Sequence, residues 1–210
     1  IEGRVFAKAF GIDAGGFGFG FGLDDLRGLS AKLRLLVQVA VASFFVIHLS
    51  PILSLLMMLI LVVAIVWMTN LYNFMDGLDG FASGMTAIGY ATLAFILYSN
   101  NHTNLAVINL IISIAALGVL TFNFPPAKIF LGDVGSATIG FFTAGMAILL
   151  HNLEVLSLWQ SLLIFSPFII DATVTILKRS FNRESIFQPH RSHYYQKMAL
   201  IIGKKKTLLL

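Results

Sequence analysis

Aspartates that could carry chemistry occur in three separate segments of the 210-residue chain. Asp24 and Asp25 form an adjacent pair, Asp76 and Asp79 follow two asparagines, and Asp133 follows a glycine. Carboxylates gathered on one surface can position a proton or help to hold a divalent cation. A shared site is the simplest explanation for this distribution, and the intervening elements must bring the segments together.

Those elements are predicted to be membrane helices. The chain is 58% hydrophobic and only 11% charged, where a soluble domain has about 25% charged residues. Six apolar runs approach the length that crosses a hydrocarbon core of about 30 Å. They are residues 35–50, 52–70, 81–99, 104–121, 136–151 and 156–177. An open strand would leave backbone groups unpaired in lipid, so we predict an all-α, polytopic transmembrane bundle of about six spans.

The positions of lysine and arginine predict the orientation of this bundle, because these residues accumulate in cytoplasmic connections. The connections 48–52, 99–104 and 150–157 contain neither residue type. All 14 basic residues lie before the first span, at Lys128, or from Lys178 onward. We therefore expect the three bare connections outside and the aspartate-bearing segments on the cytoplasmic face. The absence of cysteine excludes disulfides and thiolate metal sites.

The first polar cluster is Asn70-Leu-Tyr-Asn73-Phe-Met-Asp76-Gly77-Leu-Asp79-Gly80. Its polar residues recur every three positions, which in a helix gives one slowly drifting stripe. A polar helix end capped by glycine is the alternative. Because the stripe emerges directly from an apolar span, we favour a functional surface.

The second cluster runs from Phe122 to Ser136 and reads Phe-Asn-Phe-Pro-Pro-Ala-Lys-Ile-Phe-Leu-Gly-Asp-Val-Gly-Ser. Its glycines permit a close approach of the backbone to a phosphate, and a helix starting at Ser136 would offer N–H donors to an anion. The alternative is a Pro/Gly turn in which Asp133 is only a helix cap.

The third cluster, Pro189-His-Arg-Ser-His-Tyr-Tyr-Gln196, follows Lys178, Arg179 and Arg183. Two histidines three residues apart could bind a metal, but the neighbouring arginines favour an anion-binding surface. A solvated basic connection is the alternative. The fourth cluster, from Asp24 to Arg34, could on its own be a capped and charged helix start.

Taken in order over roughly residues 22–199, the four clusters resemble the polyprenyl-phosphate N-acetylhexosamine-1-phosphate transferase family, glycosyltransferase family 4. The form of the third cluster resembles the O-antigen and surface-polysaccharide branch more than the peptidoglycan branch. The resemblance implies that a polyprenyl phosphate oxygen attacks the β-phosphorus of a UDP-linked amino sugar and releases UMP. It also implies Mg²⁺, with Mn²⁺ as an alternative, because a divalent cation neutralises the repulsion between anionic reactants.

The resemblance assigns a role to each matching residue. It gives catalytic roles to Asp24, Asp25, Asp133 and His190. It gives the binding of the metal to Asp133 and Asp76. Asp24 and Asp25 would deprotonate or position the lipid phosphate. The sequence does not choose between direct attack by this phosphate and a covalent aspartyl intermediate. Asn123 would contact uridine, Phe130 would stack on uracil, and Lys32 would neutralise lipid phosphate. The other substrate-binding residues are Asn70, Asn73, Asp76, Asp79, Arg191 and His193.

Asp171 lies inside the sixth predicted span, where an ionisable residue is a functional hypothesis by default. It matches an aspartate of the family, and an ion pair with Lys178 or Arg179 is an equal alternative. A transporter or channel also places charges in the membrane, but it would need polar residues at the centres of the spans, and these centres are apolar.

The expected organisation is a low-complexity segment at 1–21, a transmembrane transferase domain at 22–199 and a basic, apolar tail at 200–210. Members of the family have more spans than this chain, so we expect truncation at both ends, and an inactive truncated homologue is an alternative function. The expected location is the bacterial cytoplasmic membrane. The expected partners are the polyprenyl phosphate lipid, a UDP-amino sugar and the membrane, without nucleic acid; a homodimer is compatible with the sequence.

Overall fold

A computed structural model describes residues 30–50, 53–183 and 193–209 of the chain. These residues form helices joined by short connections, which confirms the predicted all-α class. The helices are α1 (Ala31–Leu49), α2 (Leu55–Met75), α3 (Phe81–Ser99), α4 (Thr103–Asn123), α5 (Gly132–Asn152), α6 (Leu158–Ile164), α7 (Ser166–Phe181), α8 (Tyr194–Ile202) and α9 (Lys204–Leu209).

Five helices, α1 to α5, are long and apolar enough to cross a membrane, and the pair α6 and α7 makes a sixth candidate span. The sequence predicted this sixth span as one continuous helix over 156–177, which is wrong. The two helices are bent by 86° at Phe165. Pro167 lies in the first turn of α7, and proline lacks an N–H donor and crowds the preceding turn, so the helix breaks before it.

The bundle is organised around α2, which packs against α1, α5 and α7, while α3 packs along α4. The backbones of α2 and α5 are in direct contact at Gly140. A Cβ atom at this position would lie 2.6 Å from the carbonyl oxygen of Met68 and 2.8 Å from the Cα of Thr69. Small residues allow such close packing between membrane helices, and here the contact sets the end of α2 beside the start of α5.

Two helix boundaries differ from the prediction in a way that affects the polar clusters. Helix α2 continues to Met75 rather than ending near residue 70, so Asn70 and Asn73 are helical. Helix α5 begins at Gly132 rather than at Ser136, which places Asp133 in its first turn. An acidic side chain in the first turn of a helix is stabilised by the helix dipole.

The predicted grouping of the connections agrees with the structure. Asn73 of α2 bonds Asp133 of α5, and the backbone N–H of Gly80 donates to Asn123 of α4, so these segments lie at one end of the bundle. At the other end, the Nδ2 of Asn152 donates to the Oγ of Ser50 over 2.7 Å. The assignment of the first end to the cytoplasm stays a prediction.

Candidate active site

Asp133 is the residue at which three helices meet. The Nδ2 of Asn73 in α2 donates to Asp133 Oδ1 over 2.8 Å, and the Nη1 of Arg34 in α1 lies 2.8 Å from Oδ2. Asn73 also donates to the Oγ of Ser136 over 3.2 Å. The Asp133 side chain is nevertheless 50% exposed. The carboxylate is therefore held firmly in place while one side of it faces outward.

Asp76 is the C-cap of α2 and is the second carboxylate of this region. Its Oδ1 is buried and has no hydrogen-bond partner among the residues that the structure describes. Burial, reinforced by the charge of Asp133, raises the pKa of Asp76 to about 7, while the backbone N–H of Gly132 offsets part of the rise. The two carboxylates are thus close enough to repel each other.

This pair fits a magnesium ion. Mg²⁺ in phosphoryl-transfer sites is commonly bound by one or two carboxylates, with waters and substrate phosphates completing its coordination. An unpartnered buried oxygen on Asp76 beside the fixed carboxylate of Asp133 supplies such a donor set. Within the described part of the chain there is no group of three or more His, Cys, Asp or Glu side chains that could hold a metal alone.

Both carboxylate oxygens of Asp79 are bonded to protein groups. The Nζ of Lys204 lies 3.1 Å from both of its carboxylate oxygens, and the backbone N–H of Ala127 donates to Oδ2 over 3.2 Å. Burial disfavours the charged form, but the Ala127 amide and the Lys204 ammonium outweigh it and lower the pKa of Asp79. The tail predicted at 200–210 is thus joined to the turn after α2.

Asn123 is also used internally. Its Oδ1 accepts from the N–H of Gly80 over 2.7 Å and from the hydroxyl of Ser83 over 3.0 Å, and its Nδ2 donates to the carbonyl of Ile129 over 2.7 Å. The residue is only 1% exposed, whereas Phe130 is 60% exposed. Asn123 therefore fixes the connection between α4 and α5, and this connection presents the Phe130 ring to the surroundings.

Two further predicted residues, Asn70 and Lys32, differ in their contacts and in their exposure. The Nδ2 of Asn70 donates to the Oε1 of Gln38 and to the carbonyl of Val66, both over 2.7 Å, so Asn70 joins α1 to α2 one turn below Asn73. Lys32 is exposed in the first turn of α1. Contacts of either residue with a substrate stay predictions.

His193 lies against Asp171 rather than in an open loop. Its Nδ1 is 3.7 Å from Asp171 Oδ1, and the residue is 2% exposed. The structure thus places His193 beside Asp171, whereas the alternative drawn from the sequence was an ion pair with Lys178 or Arg179. The following Tyr195 donates from its hydroxyl to the carbonyl of Phe74 over 3.1 Å, which brings the third cluster to the turn that holds Asp76.

Residues 10–151 match the sequence model of the family described as glycosyl transferase family 4. The chain belongs to this family. It is 33% identical over 211 residues to a probable undecaprenyl-phosphate N-acetylglucosaminyl 1-phosphate transferase of Bacillus subtilis (strain 168), a match that covers 90% of the chain and 57% of that relative.

Two further relatives of the chain are phospho-N-acetylmuramoyl-pentapeptide-transferases. That of Lacticaseibacillus paracasei (strain ATCC 334) is 36% identical over 141 residues, or 63% of the chain and 42% of the relative. That of Lactococcus lactis subsp. cremoris (strain MG1363) is 31% identical over 196 residues, or 85% of the chain and 58% of the relative. The chain spans about half the length of the curated relatives it matches.

Four predicted site residues lie outside the part that the structure describes, namely Asp24, Asp25, His190 and Arg191. Two residues to which the prediction gave no individual role are Arg34, the last residue of the fourth cluster and the partner of Asp133, and Lys204, the partner of Asp79. Arg34 carries a faint signal in the sequence, because it is a basic residue where an apolar run begins. Lys204 carries none, because Lys205 and Lys206 beside it are chemically identical.

Proposed function

We propose that this chain belongs to an enzyme that transfers an N-acetylhexosamine 1-phosphate from a UDP-sugar to undecaprenyl or another polyprenyl phosphate and releases UMP. The observation that carries the proposal is the arrangement of Asp133, held by Asn73 and Arg34, beside Asp76, whose Oδ1 is buried. We place the enzyme in the bacterial cytoplasmic membrane, with this end of the bundle in the cytoplasm. The names of the curated relatives support a polyprenyl acceptor and an N-acetylated amino sugar.

In the proposed reaction, an oxygen of the lipid phosphate forms a bond to the β-phosphorus of the donor. The bond between this phosphorus and the oxygen that bridges to the α-phosphate breaks, and UMP takes that oxygen. Asp133 and Asp76 would hold Mg²⁺, which when bound neutralises the diphosphate. The phosphate that attacks is already ionised near neutral pH, so positioning matters more than proton removal.

The chain's own side chains would supply the rest of the binding. Arg34 lies beside Asp133 and can pair with a phosphate oxygen, since guanidinium groups bind phosphates through paired N–H donors. The exposed ring of Phe130 offers a flat surface for the uracil base. Lys32, at the start of α1, would face the lipid phosphate. Asn123 and Asp79 would act on the nucleotide through the connection that they fix.

Four residues of the proposed mechanism lie outside the described ranges and rest on the family resemblance alone. Asp24 and Asp25 would position the lipid phosphate, and His190 and Arg191 would contact the diphosphate or the sugar. We further propose that the product begins a surface polysaccharide, because the third cluster resembles that branch of the family. His193 belongs to this cluster and would act from its buried position beside Asp171.

The test supplies membranes containing this chain with undecaprenyl phosphate, Mg²⁺ and, separately, UDP-N-acetylglucosamine and UDP-N-acetylmuramoyl-pentapeptide. UMP release and a lipid-linked sugar are expected with one of these donors, and Asp133→Asn should abolish both. The Bacillus relative serves as the positive control in the same membranes. If the relative turns over and this chain gives no product with any donor, the proposed activity is wrong for this chain, and an inactive homologue is the better description.

A further inference from the structure

Helix α8 begins without a cap of its own. The first N–H groups of a helix have no partner within it and need an acceptor from elsewhere. The N-cap residue His193 makes no side-chain hydrogen bond to the helix. Instead, Asp171 of α7 supplies both acceptors: its Oδ1 accepts from the N–H of Tyr194 over 2.8 Å and its Oδ2 from the N–H of Tyr195 over 3.2 Å.

This use of Asp171 accounts for a carboxylate that is otherwise badly placed. The residue is 9% exposed and lies in a helix that belongs to a candidate membrane span, where an ionised side chain is costly. The hydroxyl of Thr175 donates to Oδ1 over 3.2 Å, and His193 approaches the same oxygen. A negative charge at the start of a helix is also favoured by the helix dipole. The contacts of Asp171 with the two backbone N–H groups therefore fix the start of α8, and Thr175 and His193 hold the carboxylate in place.

The position of α8 matters because Tyr195, in its first turn, contacts the turn beside the proposed site. The Tyr195 ring stacks on Phe81 with ring centroids 4.7 Å apart, and its hydroxyl donates to the carbonyl of Phe74. A Cβ atom at Gly77 would lie 2.9 Å from that hydroxyl oxygen. Tyr195 thus rests directly on the glycine that follows Asp76, and any tilt of α8 would move the ring off this turn.

We infer that Asp171 is a positioning residue. From α7 it caps the N-terminus of α8, and through Tyr195 it holds this helix against the turn that carries Asp76. Asp171 itself touches none of the residues proposed to hold Mg²⁺. Its effect on turnover rests on the proposed function, whereas its effect on α8 does not. The two can therefore be tested separately.

Hydrogen–deuterium exchange of the whole chain in detergent tests the contact directly. In Asp171→Leu the N–H groups of Tyr194 and Tyr195 lose their acceptors, and their exchange should become about tenfold faster or more. Asp171→Asn keeps one carbonyl acceptor and should give a smaller increase. Thr173→Val is the matched control, because the hydroxyl of Thr173 is buried two residues away in the same helix and has no hydrogen-bond partner among the described residues.

The exchange of α1 shows whether a variant still folds, since this helix packs on α2 and takes no part in the contact of Asp171 with α8. Unchanged protection of Tyr194 and Tyr195 in Asp171→Leu, with α1 protected as before, would overturn the inference. Should that variant fail to fold, Asp171→Asn decides in the same way: faster exchange confined to the start of α8 supports the inference, and wild-type exchange there overturns it.

Turnover tests the second half of the inference. Misplacement by about 1 Å can reduce a rate about 100-fold, so Asp171→Asn should lower kcat/KM by up to about that factor while Thr173→Val leaves it unchanged. If Asp171 acts through Tyr195, the double variant Asp171→Asn/Tyr195→Phe should be no slower than Asp171→Asn alone. Losses that multiply would overturn this route. If the unaltered chain has no turnover, the proposed function fails, and the exchange pattern alone decides the role of Asp171.

Discussion

Arg34 and Asp133 form an ion pair between the start of α1 and the first turn of α5, with Nη1 2.8 Å from Oδ2. The other oxygen of Asp133 accepts from Asn73. Both oxygens of the carboxylate proposed to hold Mg²⁺ are thus already in contact with protein donors. A cation at Asp133 must compete with the guanidinium group of Arg34, and this competition can be measured.

Replacing Arg34 by Gln should strengthen Mg²⁺ binding in the absence of substrate, because it removes a competing positive charge. Both side chains are partly exposed, 39% for Arg34 and 50% for Asp133, and an exposed pair contributes up to about 1 kcal/mol, or about a fivefold change in affinity. The Mg²⁺ dependence of the melting temperature measures this affinity. Lys128→Gln removes the same charge from an exposed position and should change the affinity less. Weaker Mg²⁺ binding in Arg34→Gln would contradict the proposed competition.

The pKa of Asp76, raised to about 7 by burial and by Asp133, predicts how Mg²⁺ binding depends on pH. Below the pKa the proton occupies the carboxylate, and Mg²⁺ must displace it. In the metal-free protein, protonated Asp76 contributes to stability at low pH, and this contribution is lost as pH rises from about 4 through 7. Stabilisation by Mg²⁺ should therefore increase between pH 6 and pH 8. Melting temperatures with and without Mg²⁺ at the two pH values measure it.

Asp76→Asn is the control for this pH dependence, since an amide does not titrate. The variant should bind Mg²⁺ more weakly, and the affinity should vary little between pH 6 and pH 8. A pH dependence that is the same in Asp76→Asn and in the unaltered chain would assign the titration to another group.

The spans were largely predictable from the sequence, because lipid leaves a long apolar helix as the main way to satisfy the backbone. Helix α3 was predicted at 81–99 and is found at Phe81–Ser99. The break at Phe165 was missed because membrane helices often tolerate a proline. Whether Pro167 ends a helix or only kinks it depends on packing, and here the Phe165 ring occupies the space left by Gly89.

The candidate site was predictable to the extent that it depends on spacing and on a common end of the bundle. Asn73 and Asp133 were expected on one face and bond each other across 60 residues. The internal use of Asn123 was not predictable, because an amide that binds a ligand and an amide that binds backbone look alike in sequence. The choice of Lys204 among three consecutive lysines likewise depends on tertiary packing.

The close approach of α2 and α5 predicts a strong effect at Gly140. Gly140→Ala would place a methyl group 2.6 Å from the carbonyl oxygen of Met68, and overpacking of this kind typically costs about 1–3 kcal/mol. The helices would move apart, so turnover should fall along with the melting temperature. Gly118→Ala in α4 is the matched control, because a Cβ there would meet no atom within 4 Å. Equal melting temperatures of the two variants would show that the approach of α2 and α5 is not tight.

Lys204 is predicted to act on the donor through Asp79 and the connection that presents Phe130. Lys204→Met removes the ammonium group that lies 3.1 Å from both Asp79 oxygens, leaving the Ala127 amide as the partner of a buried charge. The connection should loosen, and because the Lys204 side chain is 57% exposed the effect is limited to about 1 kcal/mol. We therefore expect the KM for the UDP-sugar to rise about three- to fivefold, with a smaller change in kcat and a similar rise for the unaltered chain at high salt. Lys205→Met, at the neighbouring exposed lysine, should leave the KM unchanged; an equal rise in both variants would mean that the lysines act through their summed charge and not through Asp79.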